Sequence, residues 1–130
     1  MKTKKNVLIV TDGSAETAKM AAAIAAALKG NKVINKTATD FKGNDILPAE
    51  VIFLGCDKPR PDSFEYLADL LKHINLAGRS CGIFSPGSDK TVKYLANLVK
   101  DCDVALNPEA LTGSVKDTGA WAQKVFSKSF

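Results

Sequence analysis

Histidine and cysteine are scarce in this chain: one histidine and three cysteines in 130 residues, and no two cysteines spaced C-x-x-C. The odd number and the spacing argue against a disulfide framework and against a structural zinc site. Cys56, Cys81 and Cys102 read instead as buried, reduced thiols. No apolar run approaches the roughly 20 residues that a membrane span needs. The short apolar segment behind the MKTKK start is interrupted by Thr11, Asp12 and Gly13, so no membrane association is expected and the location reads as cytoplasmic. Internal repeats and low-complexity tracts are also missing.

What is present is an ordinary globular composition, 45% apolar and 25% charged. Residues 1–130 suffice for a single domain that buries well over half of its extended surface. The net charge is +4, with many lysines early in the chain (Lys2, Lys4, Lys5, Lys29, Lys32, Lys36, Lys42). A solubilising surface accounts for this excess; an acidic partner protein is the alternative, and nucleic acid is not the expected partner.

The stretch from Lys5 to Gly30, KNVLIVTDGSAETAKMAAAIAAALKG, sets the organisation. Val7 to Val10 is a β-favouring apolar run, as in a strand buried on both faces. Ser14 is placed to cap a helix whose apolar stripe is Thr17, Ala21, Ile24 and Leu28, with Gly30 as its C′ residue. Lys32 to Thr39 reads as a polar edge strand, and Phe41 to Ala49 as a loop with at most one helical turn. Glu50 to Cys56 is a buried strand, followed by the proline-broken loop Asp57 to Pro61. A helix from Asp62 to Ile74 is expected to be capped by Asp62, with Glu65 three residues on completing a capping box. Ser80 to Phe84 is a strand ending in the loop Ser85 to Ser88, and a helix follows to Lys100. The last strand runs from Asp103 to Asn107 and stops at Pro108, and Asp117 to Phe126 forms a final helix. This order predicts an α/β fold of three α/β/α layers on a five-stranded parallel sheet. Its ligand site belongs beyond the carboxyl ends of the strands, at the loops Thr11 to Thr17, Asp57 to Asp62 and Ser85 to Ser88.

VLIVTDGSAETAKMA, VIFLGC before a variable loop, LAGRSCGIFSPGS and a closing helix with Trp121 together resemble a flavodoxin over most of the chain. The resemblance implies strand order 2-1-3-4-5, a non-covalently bound FMN, and electron transfer between redox partner proteins in place of a reaction catalysed by the chain itself. It places Thr11, Gly13, Ser14, Ala15 and Thr17 around the phosphate, with Asp12 and Glu16 in the same loop. Cys56, Asp57, Lys58, Pro59 and Arg60 would border one side of the flavin ring, and Ser85, Pro86, Gly87 and Ser88 the other. The first loop differs from the family's S/T-x-T-G-x-T: it is one residue longer, lacks the T-G pair and carries two carboxylates. Neither ring-side loop holds Trp or Tyr, so Phe64 and Tyr66 are the nearest candidate rings. The chain is also basic where flavodoxins are typically acidic.

Two other readings share the fold. One is a cofactor-free interaction or regulatory domain. The other is a degenerate response-regulator receiver, to which Asp12, Asp57, Ser85 and Asn107-Pro108 correspond in order, although Thr11 and Asn107 replace the family's acid and lysine. Among single residues, His73 reads as a structural helix-end residue and Trp121 as the core anchor of the final helix. Cys56 is either a packed strand end or a thiol activated by Lys58 or Arg60. Arg60, between two prolines, is presented to an anion, a partner carboxylate or solvent.

Overall fold

The computed structural model describes residues 5–107, 109–113 and 116–127. Strand β1 (Asn6–Thr11) is central, paired in parallel with β2 (Lys32–Thr37) on one side and β3 (Val51–Gly55) on the other. Beyond β3 lies β4 (Ser80–Ser85), and the order β2-β1-β3-β4-β5 is the one expected.

Alternation along the strands sorts the core into two layers. Val7, Ile9 and Phe53 face helices α1 (Ala15–Ala27) and α5 (Thr118–Ser127), where they meet Met20, Ile24 and Trp121. Leu8, Val10, Ile52 and Leu54 face the other way, toward α3 (Glu65–His73) and α4 (Asp89–Leu98), against Leu67, Leu71 and Leu95. The polar edge strand is β2, as its weak alternation implied; it has no fully buried residue. The connection to β3 contains one helical turn, α2 (Gly43–Ile46). Asp45 holds this turn by accepting from the Lys42 N–H (2.9 Å) and pairing with Lys36 (3.1 Å). Those contacts, the Lys42 bond first, keep its carboxyl below the usual carboxylate range.

Three expectations are corrected. Asp62 does not cap α3. Residues Asp62–Phe64 wind a 3₁₀ turn closed by the Phe64 N–H on the Pro61 carbonyl (2.9 Å), and the N-cap of α3 is Phe64, without a side-chain bond. Because Pro61 fixes its own φ near −65°, the chain enters the turn already tightly bent. Gly30 has the positive φ of a helix stop (+101°), but the C-cap is Leu28, so Gly30 lies one residue beyond the C′ position.

The last strand is also not continuous. β5 (Ala105–Leu106) pairs with Ser80–Cys81, and β6 (Leu111–Thr112) pairs with Phe84–Ser85. Between these two pairings β4 contributes only Gly82 and Ile83. Pro108, the residue expected to stop the strand, lies outside the described residues. Trp121 secures the gap by donating its indole Nε1–H to the Glu109 carbonyl (2.7 Å).

Candidate functional site

At the carboxyl edge of the sheet, β1 and β3 lead into neighbouring loops at the point where strand order reverses. The first loop turns at Gly13, whose φ of +81° favours glycine and whose missing Cβ leaves room for the Thr37 methyl group. Ser14 is the N-cap of α1, but its side chain does not bond the first-turn N–H groups. Its hydroxyl donates to Asp12 Oδ1 (2.9 Å) and shares a 2.7 Å hydrogen bond with Thr17 Oγ1. The N–H groups at the start of this 13-residue helix are thus left without a side-chain cap, with the helix dipole behind them. Thr11 and Thr17 are buried beside them.

The two carboxylates of this loop behave differently. Glu16 lies along the helix surface and pairs with Lys19 at 3.2 Å. Asp12 turns inward. Its Oδ1 accepts the Ser14 N–H (3.1 Å) as well as the hydroxyl, and its Oδ2 accepts the Asp57 N–H (3.0 Å) at the head of the second loop. Asp12 therefore ties the loop after β1 to the loop after β3.

The Asp57 backbone is held on its carbonyl side too. Its carbonyl accepts the Thr91 hydroxyl from α4 (3.3 Å) and packs so closely on Gly87 that a Cβ there would overlap the oxygen. Ser85 Oγ accepts the Gly87 N–H (2.9 Å), and the Ser85 carbonyl accepts the Gly113 N–H (2.9 Å). The structure thus brings Asp57, Ser85 and Gly87 together, and the loops after β3 and β4 touch. Pro86 is half-buried; Gly87 and Ser88 are exposed. Lys58, Pro59 and Arg60 are exposed, and Arg60 takes a left-handed φ of +54°, costing about 1 kcal/mol in a non-glycine residue.

Cys56 is buried in the core at the end of β3. Burial first, then the Asp12 and Asp57 carboxylates, push its thiol up to about 12. The activated-thiol reading is corrected: neither Lys58 nor Arg60 offsets the loss of water. Phe64 is a fully buried core residue. Tyr66 is half exposed, its oxygen accepting the Gly43 N–H (3.2 Å). It lines an open groove of about 800 Å³ with Ala38 and Thr39, just past the end of β2, and with Asp62 and Asp69. His73 is exposed, 3.8 Å from Asp69. Among the described residues no group of three or more His, Cys, Asp or Glu side chains is placed to hold a metal ion.

Sequence reasoning missed Thr91, the buried residue that reaches the Asp57 carbonyl. Stepping back four from Val99 and Leu95 along the inward stripe of α4 lands on it, so a polar residue on an otherwise apolar face was the available signal.

No protein-family model and no curated protein matches the chain. Solved structures do. A short-chain flavodoxin associated with a non-canonical PDU bacterial microcompartment superposes with a TM-score of 0.84 at 12% identity, covering 98% of this chain and 100% of that one. Oxidised flavodoxin 2 from Bacillus cereus gives 0.83 at 19% identity over 95% and 99%. Fusobacterium nucleatum flavodoxin bound to flavin mononucleotide gives 0.80 at 14% identity over 97% and 99%. In strand order, helix placement and extent, the chain has a flavodoxin-like fold.

Proposed function

We propose that the chain binds FMN non-covalently, with the phosphate at the start of α1, and carries electrons between redox partner proteins. The observation that carries this reading is the uncapped first turn of α1 beside the hydroxyls of Thr11, Ser14 and Thr17, at the strand-order reversal of a flavodoxin-like fold. The donor set suits a phosphate: backbone N–H groups, small hydroxyls and a helix dipole, with Glu16 paired to Lys19 on the helix surface. When bound, FMN would supply the electron-accepting chemistry. The chain would supply the phosphate grip from Gly13 to Thr17, and the peptides of Asp57 and Gly87 would border the ring. With no aromatic side chain on either ring-side loop, affinity rests mainly on the phosphate end. The three buried free thiols suit a reducing, cytoplasmic compartment, and the basic balance suits acidic redox partners.

The test is a titration of FMN against wild type and the double variant Ser14→Ala/Thr17→Ala, followed by flavin fluorescence. Losing two charge-assisted hydroxyl contacts should weaken binding by about 2–3 kcal/mol, or roughly 30- to 150-fold. Unchanged affinity sinks the phosphate-loop assignment. The cofactor-free reading draws on the contact between Asp57 and Gly87, which leaves the two ring-side loops touching. A colourless protein that leaves FMN fluorescence unchanged decides for it.

A further inference from the structure

We infer that Asp12 is the residue with which an incoming phosphate exchanges partners, so that filling the start of α1 and opening the ring-side loops are one coupled event. This rests on the FMN reading above and adds a gate to it.

Ser14 offers its N–H and O–H at the head of α1, and both already point to one oxygen of Asp12, at 3.1 and 2.9 Å. A phosphate seated on that turn needs the same donors. The two anions do not share them easily, because like charges in a half-buried loop repel far more strongly than they do in water. Phosphate entry therefore displaces the Asp12 carboxylate from Ser14.

That displacement reaches the second loop directly. The other oxygen of Asp12 holds the Asp57 N–H at 3.0 Å, so the same movement frees that N–H. The carbonyl of the same residue bears on Gly87 and takes the Thr91 hydroxyl. Thr17, Ser14, Asp12, Asp57 and Thr91 thus form one line of hydrogen bonds from the first turn of α1 to the first turn of α4. With Asp12 latched, the two ring-side loops stay in contact; with Asp12 released, they are free to part. Asp12 is a positioning residue in this scheme: it acts on the ring side only through Asp57.

The experiment has two arms. In ligand-free protein, amide hydrogen exchange is measured at Asp57 and Ser14 in wild type and in Asp12→Ala. Removal of the latch should speed exchange at both amides by at least about tenfold, with core amides such as Ile9 unchanged. Unchanged exchange at Asp57 overturns the proposal. In the second arm FMN and riboflavin are titrated into both proteins. Asp12→Ala should raise the preference for FMN over riboflavin by about tenfold, since only FMN carries the competing charge. A lower preference for FMN in the variant overturns the proposal by making Asp12 part of the grip itself. If Asp12→Ala does not fold, Asp12→Asn replaces it: the amide keeps one acceptor oxygen but has no charge, so exchange at one of the two amides must still rise. If neither flavin binds either protein, the FMN reading fails, while the exchange arm still decides the latch.

Discussion

Replacing Trp121 with Phe tests how the broken last strand is fastened. Trp121 lies edge-on to Phe53 (centroids 5.6 Å apart) and Phe84 (6.0 Å), and its ring covers Gly82, where a Cβ would come within 3.1 Å of the indole. Its Nε1–H holds the Glu109 carbonyl at 2.7 Å, the tie across residues 107–110. Phenylalanine keeps the stacking edge and removes both the outer ring and the donor. The lost hydrogen bond costs about 1 kcal/mol and the unfilled volume about 1–2. The sum, about 2–3 kcal/mol, is a sizeable part of the roughly 7–15 kcal/mol expected for a chain of this length. Trp121 is the sole tryptophan, so guanidinium unfolding should be followed by circular dichroism. The midpoint should fall with the slope unchanged, and exchange at the amides of Leu111 and Thr112 should rise more than at β1. A loss under about 0.5 kcal/mol would show that Trp121 does not anchor the last strand.

Other outcomes follow from single contacts. Gly55→Ala would place a Cβ inside the Phe84 ring and should cost about 2 kcal/mol; Phe84→Leu should recover part of it in the double variant, and strict additivity would contradict the contact. Cys56 stays protonated in the fold up to about 12, whereas the unfolded thiol ionises near pH 8.5. Its contribution to stability is therefore complete below about pH 8.5 and lost as pH rises toward 12, by at most about 1.4 kcal/mol per pH unit. The stability difference between wild type and Cys56→Ala should shrink between about pH 8 and pH 10.5; a pH-independent difference would contradict it. Arg60→Gly should stabilise the protein by about 0.5–1 kcal/mol in thermal unfolding, by relieving the left-handed backbone; a destabilised variant would show that the side chain holds the loop.

The central strands were legible because they are buried on both faces and therefore written as unbroken apolar runs, Val7 to Val10 and Val51 to Leu54. The single turn at α2 was legible from Gly43, Asn44 and Pro48, which discourage a longer helix. Boundaries set by contacts made only in the fold were not. The split of the last strand goes with a bond from an indole twelve residues downstream of Glu109, and the entry to α3 with a 3₁₀ turn closed on the Pro61 carbonyl. At the site, the chemistry of the first loop was readable residue by residue, but the orientation of each acid was not. Asp12 and Glu16 look alike in sequence. One faces inward because the Asp57 N–H, 45 residues away, needs an acceptor; the other has Lys19 on its own helix.

The most direct test of the account compares FMN with riboflavin on the wild-type protein, by absorption of the purified material and by quenching of flavin fluorescence on titration. The two ligands differ only in the phosphate that the start of α1 is proposed to hold. Saturable FMN binding in the low micromolar range is expected, with riboflavin weaker by at least about tenfold. Equal affinity for both, or no binding of FMN, would contradict it.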